Sequence, residues 1–273
     1  MTSLDAGALR RRLIAPHGPY ADLDVVATTG STNADLVAAA AAGAADYTVL
    51  LADAQTAGRG RHTRTWVSPP GVGLYLSVLL RPGLPPARLT TLPLLAGVAL
   101  ARLAERVVVD AVLKWPNDLL AGPHRAKCAG VLAEAVADPA GAPAVVVGIG
   151  LNVGPPGTTV PPGPGGLAAT SFAQLGAGNT NRTELAVLLL TEFAALESAW
   201  RAAGGDAAVS GLLAAYRERC ATLGSRVRAE LPGGESLEGF ALDVDAGGAL
   251  LIRADDGSRR TVGAGDIVHL RAG

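Results

Sequence analysis

The sequence predicts an α+β protein in which a mixed sheet flanked by helices is followed by a small antiparallel β-barrel. Three observations carry this. Short apolar runs with branched and aromatic residues recur between 23 and 152, separated by segments of helical period. A clear helix follows at 181–200, opened by Asn181 with Glu184 three positions later, the pattern of a capping box. Near Leu223 the character changes to short alternating runs divided by the turns PGG, DAGG and DDGS. That change sets a boundary at 221–224, between a unit spanning 1–221 and a smaller one spanning 222–273.

The elements follow in order. Residues 4–14 suit a short amphipathic helix, ended by Pro16, Gly18 and Pro19. Only about 20 residues precede Leu23, fewer than a three-helix DNA-binding unit needs, so no N-terminal helix-turn-helix is expected. From 23 to 44 the chain reads as strand, turn and helix. The turn GSTN places Ser31 or Thr32 at the helix N-cap, with Asn33 beside them. Free amides and small hydroxyls there suit a polar ligand head, although capping alone explains them equally well. A strand at 47–55 then delivers the chain into QTAGRGRHTRTW at 55–66.

This stretch organises the chain. It runs from Gln55 through Gly58, Arg59, Gly60, Arg61 and Arg64 to Trp66, and no acidic residue occurs between Ala54 and Ala104. Guanidiniums without a partner in their own segment await an anion, and glycines let backbone amides approach it. A solvated basic hairpin is the plainer reading of the same residues.

A buried strand at 73–82 and a helix at 89–107 follow. The next strand carries Lys114 and is ended by Trp115-Pro116, which puts Asn117 and Asp118 in a turn. Its partner strand carries Lys127, Cys128 and Gly130, with the cysteine read as a small core residue. Another buried strand ends at Asn152. Gly148, Gly150 and Gly154 imitate a dinucleotide fingerprint, but Pro155 and Pro156 prevent the helix it requires, and no P-loop pattern occurs. Residues 154–166 read as a surface loop, 167–176 as a short turn or helix, and 207–219 as a second helix.

Composition narrows the function. Net charge is −1, which argues against a broad nucleic-acid footprint while leaving room for a local basic face. No apolar run approaches the roughly 18 residues of a membrane span, and the N-terminus lacks a signal-peptide pattern. Cys128 and Cys220 show no metal spacing, so a soluble, cytoplasmic protein is expected. Of 23 basic side chains all but two, Lys114 and Lys127, are arginine. In so arginine-rich a chain, two lysines in one region suggest a tight pocket that takes a point charge and not a planar fork.

Taken together, GSTN, QTAGRGRHTRTW, KWPND, RAKCAGVLAE, GIGLNV and AATS resemble, in order and spacing, the motifs of the biotin–protein ligases. The resemblance covers essentially the whole ligase core, and the last stretch is similar to that family's small SH3-like domain. It implies a class II aminoacyl-tRNA synthetase-like core of the class lacking an N-terminal DNA-binding unit. It also implies the reaction: biotin and ATP, with Mg²⁺, give biotinyl-5′-AMP, and a lysine of a carboxyl carrier domain of an acyl-CoA or pyruvate carboxylase then takes the biotin. Joining an anion to a polyanion needs convergent cations, each worth on the order of 4 kcal/mol gross at ~4 Å.

Roles follow from the resemblance. Ser31, Thr32, Asn33 and Gln55 are expected at biotin's ureido ring, with Gly58, Arg59, Gly60 and Gly130 around it. Arg61 and Arg64 are expected on phosphate oxygens, Trp66 over adenine, and Asn117 and Asn152 at the nucleotide. Lys127 is expected to bridge biotin's carboxylate and the α-phosphate. Lys114 and Asp118 are expected at the nucleotide or the acceptor amine, with Asp118 as a Mg²⁺ contact. The protein is expected to be a monomer or weak homodimer that binds neither DNA nor membrane. His62 and Thr63 depart from the family's usual Arg-Gly pair, which bears on how the loop closes. A lipoate ligase of the same fold is the nearest alternative; a non-enzymatic ligand sensor or nucleic-acid-binding module is the more distant one.

Overall fold

A computed structural model describes residues 3–270 apart from 62–63, 138–140, 158–159, 232–233 and 264. His62 and Thr63 therefore lie outside the described residues. Seven strands form one mixed sheet: β1 (Asp22–Thr29), β2 (Thr48–Gln55), β3 (Gly73–Leu80), β4 (Ala111–Lys114), β5 (Asp118–Ala121), β6 (Ala126–Val136) and β7 (Ala144–Asn152). Their order is β1-β2-β3-β7-β6-β5-β4. β1 and β2 run parallel and the other ladders are antiparallel. β3 is buried at every position, Ser77 included, as suits a predominantly apolar central strand.

The helices are α1 (Ala6–Leu13), α2 (Thr32–Ala41), the short α3 (Pro86–Leu89), α4 (Leu92–Arg106), α5 (Arg182–Ala202) and α6 (Leu212–Arg219). α4 and α5, backed by α1 and α6, cover one face of the sheet. α2 alone covers part of the other, burying Leu36 and Ala40 against Leu50, Leu79 and Val146. The segment Pro86–Arg106 is, by length and a mean hydropathy of 1.3, apolar enough to cross a membrane. This corrects the expectation that no such run exists. Most of the segment is buried, packed on α5, α6 and the sheet, and that burial accounts for its composition.

One capping detail and one helix boundary also differ from expectation. Asn181 caps α5 by accepting from the amides of Thr183 and Glu184, but the return half of a capping box is missing. Glu184 instead pairs with Arg12 at 2.7 Å, and the Asn181 amide donates to Asn179 Oδ1. The second helix begins at Leu212 and not near 207, because Gly211 adopts φ 78°, which no helix runs through.

Beyond α6, β8 (Arg226–Glu230), β9 (Ser236–Val244), β10 (Leu250–Ala254), β11 (Arg259–Val262) and β12 (Asp266–His269) form an antiparallel sheet ordered β11-β10-β9-β8-β12. Trp115 ties the two sheets together. It is 1% exposed, its Nε1 donates to the Gly248 carbonyl at 2.9 Å and its amide donates to Thr222 Oγ1. Within KWPND the indole is thus a structural joint.

Candidate active site

A cavity of about 420 Å³ lies on the face of the large sheet that α2 leaves uncovered. Cross-strand register explains its shape. Residues directly opposed in an antiparallel ladder point to the same face. One row across the sheet reads Tyr75, Gly150, Gly130, Asp118, Lys114. The neighbouring row reads Ser77, Gly148, Leu132. Glycine occupies the middle of both rows, so the floor is bare backbone. A Cβ on Gly150 would meet the Trp66 ring at 2.5 Å, and one on Gly148 would collide with Asn33. The glycines that imitated a dinucleotide fingerprint serve instead to seat these two side chains.

Each functional side chain is placed by an identifiable local device. Ser31 is the N-cap of α2, accepting from the Ala34 amide, which leaves its hydroxyl hydrogen for another acceptor. Gln55 ends β2, accepts from the Thr32 amide at 2.9 Å and donates to Ser68 Oγ. Lys127 reaches the cavity through a bulge. The β5–β6 register slips between Leu119 and Leu120, so that both Cys128 and Ala129 turn into the core. Without that extra residue, strict alternation would put Lys127 and Gly130 on opposite faces. The AATS segment then fixes the backbone of Lys127, whose amide donates to the Ala168 carbonyl and whose carbonyl accepts from the Thr170 amide.

The two lysines converge on one carboxylate. Lys127 Nζ lies 2.6 Å from Asp118 Oδ1, and Lys114 Nζ lies 3.9 Å from Asp118 Oδ2. Lys127 also sits 5.5 Å from the centroid of the Trp66 ring. Burial pushes the pKa of Lys114 down, with Asp118 opposing the shift and Lys127 adding to it. Arg61 is likewise pushed down, chiefly by burial and against the attraction of Asp266.

The arginine loop is a hairpin whose cations do have partners, supplied by distant segments. Arg59 pairs with Glu134 on β6 at 2.8 Å, and Arg64 grips both oxygens of Asp266 on β12 at 2.6 and 2.8 Å. Arg61 donates to the Gly265 carbonyl and to Asn117 Oδ1. The expectation of unpaired guanidiniums is corrected accordingly: only partners close in sequence are missing. These pairs are partly exposed, so a polyanion can compete for them at small cost.

Every expected site residue lines the cavity except Gly58. Gly58 works inside the hairpin, where a Cβ would collide with the Trp66 carbonyl. Asn33 lines the wall, yet its amide and carbonyl are turned into the protein, toward Leu132, Glu134 and Ser77. Asn117 braces β6 by donating to the Val131 carbonyl, and Asn152 donates to the Thr170 carbonyl. Asp118 begins β5 instead of lying in the turn, and two ammonium groups face it, so its surroundings do not favour the expected metal contact. Among the described residues no group of three or more His, Cys, Asp or Glu side chains could hold a metal. Sequence reasoning missed Tyr75, Ser77, Glu134 and Asp266, whose relation to the site exists only through register or long-range pairing.

His269, on the same seam, provides a pH test. Its pKa is lowered to about 4 by burial and by Lys114, and its Nε2 lies 3.0 Å from the Thr222 hydroxyl. The Thr222 oxygen also accepts from the Trp115 amide, which ties His269 into the seam between the two sheets. Between pH 6.5 and about 4 the unfolded chain then binds the proton that the folded chain refuses. Stability is expected to fall as pH drops through that window, and His269→Asn to flatten the fall in urea titrations across it.

Comparison with known proteins agrees with this geometry. Residues 28–152 match the Biotin/lipoate A/B protein ligase family, and residues 222–270 match the Biotin protein ligase C terminal domain. The chain is 44% identical to a biotin–[acetyl-CoA-carboxylase] ligase of Mycobacterium tuberculosis, across 98% of this chain and 96% of that protein. It is 30% identical to the bifunctional ligase/repressor BirA of Escherichia coli, across 87% of this chain and 70% of that one. The structure of an Aquifex aeolicus biotin protein ligase in complex with biotin and ATP matches with a TM-score of 0.72 at 26% identity, covering 93% of this chain and 100% of the other. With the converging cations and the bare floor accounted for by one architecture, the chain belongs to the biotin protein ligase family.

Proposed function

We propose that the protein activates biotin with ATP to biotinyl-5′-AMP and transfers it to a lysine of a biotin carboxyl carrier domain, that of acetyl-CoA carboxylase first among them. The observation that carries this is the meeting of Lys114, Lys127, Arg61 and Arg64 at one cavity whose other end holds Ser31, Thr32 and Gln55. The polar end offers a hydroxyl donor and an amide, which suit a cyclic urea; the cationic end suits a carboxylate beside a triphosphate.

In the first step a carboxylate oxygen of biotin attacks the α-phosphorus, and pyrophosphate leaves. Lys127 bridges the two anions, and Arg61 and Arg64 take phosphate oxygens as they give up their contacts with Gly265, Asn117 and Asp266. Mg²⁺, for which the described residues offer no carboxylate cluster, would enter as the counter-ion of ATP and would supply neutralisation of phosphate charge. Trp66 covers the adenine and Asn152 meets its edge. In the second step the acceptor amine attacks the acyl carbon and AMP departs. Asp118 holds the two ammonium groups apart from one another's repulsion until the phosphates arrive. Residues 1–221 form the ligase unit and 222–273 the small β unit, with a monomer or weak homodimer acting in the cytoplasm where ATP is available.

The test is exchange of labelled pyrophosphate into ATP. Exchange is expected with biotin and not with lipoate, and biotin transfer is expected onto a carrier domain. Exchange that lipoate supports as well as biotin would refute the assignment.

A further inference from the structure

Behind the cavity wall, a set of buried polar groups is wired in one direction. Asn33 is 4% exposed and sits on the bare backbone of Gly148. Its Nδ2 reaches the Leu132 carbonyl at 3.2 Å and Glu134 Oε2 at 2.8 Å, and both are acceptors. The amide orientation is therefore fixed, and Asn33 Oδ1 faces Ser77 Oγ at 2.6 Å. Ser77 is fully buried and has one hydrogen to give. Asn33 Oδ1 can only accept, so that hydrogen goes to it. The contact of 2.8 Å between Ser77 Oγ and Thr32 Oγ1 must then run the other way, with Thr32 donating. Thr32's other polar neighbour, Gln55 Oε1 at 3.2 Å, is also an acceptor, already held by the Thr32 amide. With the hydrogen given to Ser77 at the shorter distance, the cavity meets only the lone pairs of Thr32.

We propose that Glu134, Asn33 and Ser77 are positioning residues that lock Thr32 as a hydrogen-bond acceptor, and that this lock makes the pocket select a ligand with a ring N–H. Neither Ser77 nor Glu134 lines the cavity, so neither touches the ligand. The other oxygen of Glu134 pairs with Arg59, which links the lock to the arginine hairpin. A cyclic urea presents N–H groups to Thr32 and a carbonyl to the free hydroxyl hydrogen of Ser31. A dithiolane presents neither, and a site built to satisfy a donor strongly disfavours an analogue that lacks one. The proposal rests on the biotin reading of the same site and adds the residues that set its polarity.

A double-mutant cycle on the full chain tests it, read by pyrophosphate exchange with biotin and by melting temperature. Ser77→Ala is expected to raise KM for biotin about tenfold, with kcat and KM for ATP unmoved. In a Thr32→Val background the same change is expected to add nothing, because its target is gone. Equal effects in the two backgrounds, or no change in KM, would overturn the lock. If Ser77→Ala does not fold, Ser77→Cys keeps the shape with a poor acceptor and is judged by the same comparison. Absence of biotin-dependent exchange in the unaltered protein would instead defeat the functional reading, and the two failures are distinguishable.

Discussion

Lys127→Ala is expected to lower adenylate formation by about 10³-fold, the loss that follows removal of a group aimed at charge developing in a transition state. The fold should survive, because the Lys127 side chain is 23% exposed and its backbone is held by the AATS segment independently of the ammonium group. Pyrophosphate exchange measures the first effect and a urea titration the second. Arginine should not rescue. A Cβ on Gly130 would lie 3.3 Å from Lys127 Cε and 3.2 Å from the Trp66 ring, so the lysine already occupies a slot without room for a planar fork. Turnover retained in Lys127→Ala would refute its role.

Asp118→Asn is expected to have the second largest effect, on stability and activity together. The Asp118 side chain is 10% exposed and faces both ammonium groups, so neutralising it leaves the buried Lys114 and the partly exposed Lys127 with no anion between them. Removing one partner of a buried ion pair costs about 3–5 kcal/mol. Pyrophosphate should restore part of the loss by standing in for the carboxylate. Its addition should therefore raise the melting temperature of the variant more than that of the unaltered protein. Equal increments in the two proteins would show that Asp118 is not the internal counter-ion of the site.

Much of this was legible in the chain itself because it is local. The cap at Ser31, the arginine hairpin, the strand carrying Lys114 and the rarity of lysine are all statements about neighbours in sequence or about composition. Partners far apart in the chain were not legible. Nothing near Arg59 or Arg64 announces Glu134 or Asp266, and a long-range ion pair leaves no periodicity. The bulge that turns Lys127 toward Gly130 is one extra residue in an otherwise regular strand, visible only once the register with β5 is known. In the sequence Gly148 and Gly150 look like a failed nucleotide motif, because sequence shows that a side chain is missing but not what fills its place. The run before Gly211 extends the expected helix back to 207, but the positive φ of Gly211 ends any helix arriving from there.

The glycine floor bears on how such an enzyme can be re-engineered. Pockets are usually enlarged by trimming a side chain, and where Gly130, Gly148 and Gly150 lie there is nothing left to trim. Room for a bulkier vitamin analogue has to come from Trp66 or from the walls at Val131 and Leu132. Substitutions at Gly148 or Gly150 would instead displace Asn33 or Trp66, the side chains those glycines seat.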